Sequence, residues 1–199
     1  MMRKLSLTLA FLLLCTAQTI AQSLPWGDST YLEGGFGIGT ATQIKLAVNH
    51  IFRSHRILAV QGTMYIGKSG NVPPNYTGGG FGSWDPKPKE YHYLLSVLYG
   101  DMIDLGTHVR VSAKGGLSGG VRSYPDNFTS VSSGGMFFSS TDWFYDRKKV
   151  PVFGAVLNPS LEFLLGGSWG LSTGVYTNIN NSGVIVGVEF NMLLGAISE

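Results

Sequence analysis

The stretch GVIVGVEFNMLL, residues 183–194, carries the pattern that decides the fold. Successive side chains of an extended strand point to opposite faces, so alternate residues share a face. One face of this strand would hold Val184, Val186, Val188, Phe190 and Met192, and the other Ile185, Gly187, Glu189 and Asn191. The stretch therefore predicts a β-strand with one apolar face and one mixed face.

The same alternation recurs along the chain and predicts about eight antiparallel strands. The other seven lie at about 31–39, 42–52, 56–67, 90–100, 106–121, 150–165 and 169–179. Pro159 falls inside one of them and predicts a bulge or an irregular register, because proline cannot donate a ladder hydrogen bond. An even number of alternating strands in a glycine-rich chain is typical of a transmembrane β-barrel, an all-β, antiparallel up-and-down fold.

The connections between these strands differ in length. Residues 67–89 and 122–149 are rich in Gly, Pro, Asn and Ser and predict two long loops, which follow strands three and five and so lie at one end of the barrel. The connections after strands two, four and six are short. Outer-membrane barrels have this asymmetry, with long extracellular loops and short periplasmic turns.

The N-terminal residues predict export. Arg3 and Lys4 precede an apolar run from Leu5 to Cys15, and small residues precede a cleavage point after Ala21. Such a segment is typical of a secretory signal peptide, and its apolar run is too short to span a bilayer as a helix. The predicted organisation is a signal peptide at 1–21, a periplasmic tail at 22–29, the barrel at 30–194 and a C-terminal tail at 195–199.

Composition restricts the class of protein and of partner. Removing residues 1–21 takes away the single cysteine and two of the fourteen Lys and Arg residues, leaving twelve bases and twelve acids. A neutral chain does not suggest nucleic-acid binding. Only 13% of the residues are charged, whereas charged residues usually make up about 25% of a soluble domain. A soluble barrel of the lipocalin type, which would carry an apolar ligand inside, is the alternative of a different class.

Aromatic residues lie near both ends of the predicted apolar faces, where they would form girdles at the two membrane surfaces. Phe52, Tyr99, Trp169 and Phe190 lie near one end, and Tyr91 and Tyr93 near the other. With this pattern, residues 30–194 resemble the small eight-stranded outer-membrane barrels of Gram-negative bacteria. The resemblance implies an outer-membrane barrel fold, and we expect a monomeric protein at the cell surface with the lipid bilayer as its first partner.

Charged residues on the inner faces predict an ionic network in the lumen. Strand parity points three acids and three bases inward: Glu33, Glu162, Glu189, Lys45, Arg110 and Lys114. Arg110 and Glu162 lie on neighbouring strands at similar height and are expected to pair. An eight-stranded barrel is just wide enough for side chains to fill, so this network would plug the lumen.

The second long loop is the candidate surface-binding site. It contains Phe137, Phe138, Trp143, Phe144 and Tyr145, followed by Arg147, Lys148 and Lys149. Exposed aromatic rings beside cations are common at binding surfaces, and the bases could meet lipopolysaccharide phosphates. The alternative is that the loop folds over the barrel mouth and buries its own rings.

The sequence gives little support for catalysis. His50, His55, His92 and His108 show no metal-ligand spacing, so no metal or cofactor is expected. A membrane esterase could combine His92 or His108 with Ser112 and Glu162, and it is the third candidate. The predicted role is structural, adhesive or surface-binding rather than enzymatic.

Overall fold

The computed structural model describes residues 29–52, 55–76, 87–134 and 139–196 of the chain. They form eight strands, with the bounds β1 Ser29–Gly39, β2 Thr42–Ile51, β3 Arg56–Lys68, β4 Lys89–Asp104, β5 Val109–Gly134, β6 Ser139–Gly166, β7 Trp169–Asn180 and β8 Gly183–Gly195. The predicted signal peptide and most of the tail after it lie outside the described residues. No helix among those residues is long and apolar enough to cross a membrane.

The strands follow one another around a closed antiparallel barrel, as the sequence predicts. Closure is made by β1 and β8, which pair from Tyr31 opposite Gly195 to Gly39 opposite Gly187. Glycines let these two strands approach closely, since a Cβ atom at Gly35 or Gly39 would collide with the β8 backbone. We call the end that carries residues 69–76 and the Gly134–Ser139 end of the β5–β6 pair the loop end, and the opposite end the turn end.

The outer face of the barrel is apolar and the inner face is largely polar. In β8, Val184, Val186 and Val188 are exposed, whereas Glu189 and Asn191 are buried in the lumen. Successive side chains of a strand point to opposite faces. Because each strand is paired on both sides, one set of side chains is held outward and the other is held in the lumen. Tyr99 and Trp169 lie outward near the turn end. Phe190 lies farther from that end. The β8 residue directly opposite Trp169 is Leu194, which is four residues closer to the turn end than Phe190.

The prediction of a second long loop at residues 122–149 is wrong, because most of this segment is paired β-strand. Residues 122–134 and 139–149 continue β5 and β6 in antiparallel register, down to Gly134 opposite Ser139. We call the paired segments 122–134 and 139–150 the hairpin extension, and the remainder of the eight strands the barrel body. A bulge between Asp126 and Thr129 interrupts its register, and Asn127 adopts a left-handed backbone there with a φ of 54°. Asparagine tolerates this conformation better than most residues, so the bulge can form at this position without a glycine.

The predicted irregularity at Pro159 is also wrong, because β6 keeps one register with β7 from Leu157 to Leu164. Pro159 points outward and lacks the N–H that a ladder position would donate. The neighbouring Asn158 side chain compensates, since its Nδ2 donates to the Val175 carbonyl oxygen at 3.1 Å. The Asn158 side-chain amide thus supplies the hydrogen bond to the Val175 carbonyl oxygen that Pro159, which has no N–H, cannot donate.

Candidate functional sites in the lumen and on the hairpin extension

The six charged residues that the sequence places in the lumen do face it, and none is more than 3% exposed. Glu33 lies between two bases. Lys45 Nζ donates to its Oε1 at 2.8 Å, and Lys114 Nζ donates to its Oε2 at 2.8 Å. Asn49 completes the group, because its Nδ2 donates to Glu33 at 3.1 Å while its Oδ1 accepts from Lys114 at 3.1 Å. This group joins β1, β2 and β5 across the barrel.

Glu189 extends the same group to β8. Lys45 Nζ donates to Glu189 Oε1 as well as to Glu33, so one ammonium links two carboxylates on β1 and β8. Asn158 and Asn191 each donate to Glu189 Oε1 at 3.0 Å. Asn158 therefore serves two acceptors, Glu189 in the lumen and the β7 backbone beside Pro159. The ionic network and the strand pairing are coupled at this residue.

Arg110 and Glu162 form a second ionic group nearer the turn end. Arg110 Nε donates to Glu162 Oε2 at 2.6 Å, and the guanidinium lies 5.2 Å from the centre of the Tyr31 ring. Ser112 Oγ donates to Glu162 Oε1 at 2.9 Å, so both carboxylate oxygens have a donor. Buried charges are tolerated only when paired and hydrogen-bonded in this way.

Clusters of buried apolar side chains lie on both sides of the ionic groups along the barrel, a feature that the sequence analysis did not anticipate. The cluster at the turn end is Tyr31, Ile57, Met102, Leu164 and Leu193. The cluster nearer the loop end is Ala41, Tyr65, Leu94, Val152, Tyr176 and Ile185. The inward parity of these residues is readable from the sequence, but their convergence depends on how far each strand is shifted against the next.

A further polar group lies at the loop end of the lumen. Arg122 donates to Glu90 Oε2 at 2.6 Å, and His92 Nε2 lies 3.2 Å from Glu90 Oε1. His92 is 4% exposed, so this imidazole is part of the barrel interior rather than of the surface. The group is an ion pair with a neighbouring histidine, which the sequence analysis did not identify because Arg122 was assigned to a loop.

The residues proposed for an esterase do not assemble. Ser112 contacts Glu162, but His92 pairs with Glu90 near the other end of the barrel. His108 lies outside the lumen, because this residue is exposed in the turn between β4 and β5. Catalysis by a Ser-His-acid site needs the histidine within hydrogen-bond reach of the serine. Among the described residues there is also no cluster of three His, Cys, Asp or Glu side chains that could hold a metal ion.

Aromatic rings hold the hairpin extension against the segment after β3. Tyr76, from that segment, is only 7% exposed, and its ring centre lies 5.9 Å from that of Phe128 and 5.5 Å from that of Trp143. Phe128 also contacts Tyr145 at 5.4 Å. Of the predicted surface-binding residues, Trp143 is thus partly buried and Phe144 is 59% exposed. Phe137 and Phe138 lie outside the described residues.

The three bases of the predicted surface-binding site point in two directions. Lys148 lies 3.7 Å from Asp126, across the hairpin. Arg147 lies on the opposite face, where its guanidinium is 5.0 Å from the centre of the Tyr91 ring and donates to the Lys89 carbonyl oxygen at 3.4 Å. Lys149 shares that face and is exposed. The structure therefore brings Arg147 and Lys149 together with β4 and separates them from Lys148.

Comparison with solved structures identifies the fold. The N-terminal β-barrel domain of OprF from Pseudomonas aeruginosa superimposes with a TM-score of 0.54 and 8% identity, over 83% of this chain and 96% of that chain. This chain has the fold of the small eight-stranded outer-membrane β-barrels. Ail, the attachment invasion locus protein of Yersinia pestis, is also similar, with a TM-score of 0.48 and 7% identity over 83% of this chain and 94% of that chain. No family model matches the sequence, and no curated protein matches it.

Proposed function

We propose that the protein is exported across the inner membrane and resides in the outer membrane as a monomeric barrel with a closed lumen. Its role would be structural, adhesive or surface-binding rather than enzymatic. The fold that it shares with the OprF barrel domain supports the membrane location. In this orientation the loop end is extracellular and the turn end is periplasmic.

The observation that carries the proposal is the inverted distribution of polarity. The outward residues Leu46, Leu95, Val97 and Phe153 are between 53% and 65% exposed, whereas Glu33 is fully buried. In water such an outer face would cost about 25 cal/mol for each Å² of apolar surface, whereas a bilayer removes that cost. A lipocalin-type barrel has the reverse arrangement, with its ligand cavity inside, so the inverted polarity disfavours that alternative.

Three stacked layers support a closed lumen. The turn-end cluster around Ile57 and Leu193 and the loop-end cluster around Tyr65 and Tyr176 are apolar, and the ionic groups lie between them. Ion conduction needs a continuous polar path, which apolar constrictions interrupt. The buried charges would then stabilise the barrel by pairing across it instead of lining a channel.

Refolding of the mature protein tests the proposal. In detergent or lipid vesicles it should fold into a form that migrates differently on gel electrophoresis before and after heating. Without either, it should aggregate, because the outer apolar face has no partner. A folded monomer that stays soluble without detergent or lipid would contradict the membrane location and favour a secreted barrel.

A further inference from the structure

A groove of about 530 Å³ runs along the outer face of β2, β3, β4 and β5. The side chains at its walls are apolar and include Ile44, Leu46, Met64, Tyr93 and Leu95. The groove exists because Leu95 on β4 has a glycine directly opposite it on each neighbouring strand, Gly62 on β3 and Gly119 on β5.

The two glycines leave open space on the outer face beside Leu95. A Cβ atom added at Gly62 would have the Leu46 carbonyl oxygen, 3.9 Å away, as its nearest neighbour. At Gly119 the nearest atom would be Phe153 Cδ1, at 3.5 Å. Neither glycine is needed for close backbone approach, in contrast to Gly35 in β1. An open apolar groove of this kind fits a hydrocarbon chain.

A basic patch lies above the groove on the same face. Lys68 and Lys89 are directly opposite each other on β3 and β4, and both are exposed. Arg147 reaches the Lys89 backbone from β6, and Lys149 lies two residues along β6 on the same face. We call these four residues the basic patch. Like charges directly opposite on neighbouring strands repel each other, and a bound anion would offset that repulsion.

Tyrosines connect the basic patch to the groove. Tyr91 carries the Arg147 guanidinium on its ring, and it stacks on Tyr93 with ring centres 6.3 Å apart. Tyr93 in turn lines the groove. Tyrosines of this kind favour the boundary between headgroups and acyl chains. The basic patch would then lie at the headgroup level, and the groove below it in the hydrocarbon.

The spacing of the two features matches one leaflet of a bilayer. The groove residues Tyr93 and Gly62 lie four and six residues from Lys89 and Lys68, which at about 3.3 Å per residue is roughly 13–20 Å along tilted strands. One leaflet of the hydrocarbon core is roughly 15 Å thick, half of the ~30 Å core. An anionic headgroup at the basic patch could therefore have an acyl chain in the groove.

We propose that this face binds lipopolysaccharide, with the phosphates of its lipid A part at the basic patch and one acyl chain in the groove. The inference rests on the proposed outer-membrane location and deepens it by naming a partner. Neighbouring strands are about 4.8 Å apart, so the patch spans roughly 14 Å from β3 to β6. A glycolipid with two separated phosphates can contact both sides of such a patch, whereas the single phosphate of phosphatidylglycerol cannot.

Binding of defined lipids to the refolded protein in detergent tests this inference. The probes are diphosphoryl lipid A, monophosphoryl lipid A and phosphatidylglycerol, with affinity measured by titration. Lys89→Gln and Arg147→Gln each remove one charge from the basic patch. Arg56→Gln is the matched control, because it removes one exposed charge from the turn end of β3.

We expect diphosphoryl lipid A to bind most tightly. Lys89→Gln and Arg147→Gln should each weaken that binding at least about threefold, since an exposed charge contact contributes modestly, and Arg56→Gln should leave it unchanged. Equal binding of phosphatidylglycerol or of monophosphoryl lipid A would overturn the assignment. A loss with Arg56→Gln as large as with Lys89→Gln would show that only net charge matters and would also overturn it.

The groove is tested separately by filling it. Gly62→Leu combined with Gly119→Leu should lower the affinity for diphosphoryl lipid A about tenfold, because the added side chains occupy the space in which part of the acyl chain would be buried. Val175→Leu on β7 adds apolar bulk to the outer face away from the groove and should have no effect. Unchanged affinity in the filled variant would contradict an acyl chain in the groove.

Folding and binding are read out independently in this experiment. Heat-dependent gel migration reports folding of every variant before lipid is added. A protein that does not fold in detergent contradicts the proposed membrane location. A protein that folds but binds lipid A without dependence on Lys89, Arg147 or the groove contradicts only the present inference.

Discussion

Arg110 and Arg147 make similar contacts in two different regions of the molecule. Both guanidinium groups lie over a tyrosine ring, at 5.2 Å from Tyr31 and 5.0 Å from Tyr91. Arg110 is 2% exposed and bonds the buried Glu162 at 2.6 Å. Arg147 is exposed on the hairpin extension, and its bond to a backbone oxygen is 3.4 Å long.

The difference shows that surroundings, not residue type, decide what a charge does here. In the barrel body the ion pairs are buried, so the loss of Arg110 would leave Glu162 as a buried charge without its partner. On the hairpin extension, β5 and β6 pair mainly with each other, and charges stay hydrated and available to a ligand. The barrel body should therefore govern stability, and the extension should govern binding.

The largest effect should come from Arg110→Ala. This change leaves Glu162 buried without its guanidinium, and we expect the free energy of unfolding to fall by about 3–5 kcal/mol. Urea unfolding in lipid vesicles measures it. The double variant Arg110→Ala with Glu162→Ala should lose less, because no carboxylate is stranded. A loss below about 1 kcal/mol in the single variant would mean that the lumen is hydrated, which would remove the contrast with Arg147.

Arginine introduced into the lipid-facing surface should have the next largest effect. Val97, Val111 and Val186 lie outward along the barrel body, and arginine there should cost about 2–4 kcal/mol in folding into vesicles. Phe144→Arg on the hairpin extension is the matched change, and should cost less than about 0.5 kcal/mol because that position faces water. Equal costs at Val186 and Phe144 would place both regions in the same solvent.

A substitution at Gly187, the lumen-facing neighbour of Val186, should be destabilising for a different reason. A Cβ atom at Gly187 would collide with the Tyr176 hydroxyl, so substitution there is destabilising through crowding rather than through membrane contact.

Loosening the aromatic cluster should affect the extension alone. Trp143→Ala removes the ring contacts with Tyr76 and Phe128, each worth about 0.5–1.5 kcal/mol beyond burial. Tryptic cleavage at Arg147 to Lys149 should become faster, while unfolding of the barrel body in urea should not change. If barrel unfolding shifted together with cleavage, the two regions would form one cooperative unit.

The smallest effect on stability should come from Arg147→Gln. Its contacts are exposed, so the free energy of unfolding should change by less than about 1 kcal/mol. Urea unfolding beside Arg110→Ala measures the contrast directly within one fold. A loss comparable to that of Arg110→Ala would show that the hairpin extension, too, supports the barrel.

Much of the barrel body could be predicted from the sequence, because alternation reports which way a side chain points. The outward position of Val186 and the inward position of Glu189 follow from parity alone. The contact of Lys45 with both Glu33 and Glu189 does not, since it depends on the stagger between β1 and β8. Stagger is a property of barrel closure and leaves no local mark in the sequence.

The strands of the hairpin extension could not be predicted from the sequence for a different reason. Its Ser, Gly and Asn residues favour turns locally, and what keeps it extended is contact across strands. Phe128 packs on Trp143 and on Tyr76, which is 52 residues earlier in the chain. Local composition cannot report such contacts. The groove beneath the basic patch could not be predicted for a similar reason, because the register of β3 and β5 against β4 is what places Gly62 and Gly119 beside Leu95.

Single-channel recording in planar bilayers tests the central claim, a membrane barrel whose lumen is closed by apolar and ionic layers. The unmutated protein should insert, as judged by protease cleavage of its hairpin extension, and should show no stable unitary conductance. Reproducible conductance steps from inserted, unmutated protein would contradict the account. They would mean that Lys45, Arg110 and their partners line a water-filled path instead of filling the lumen.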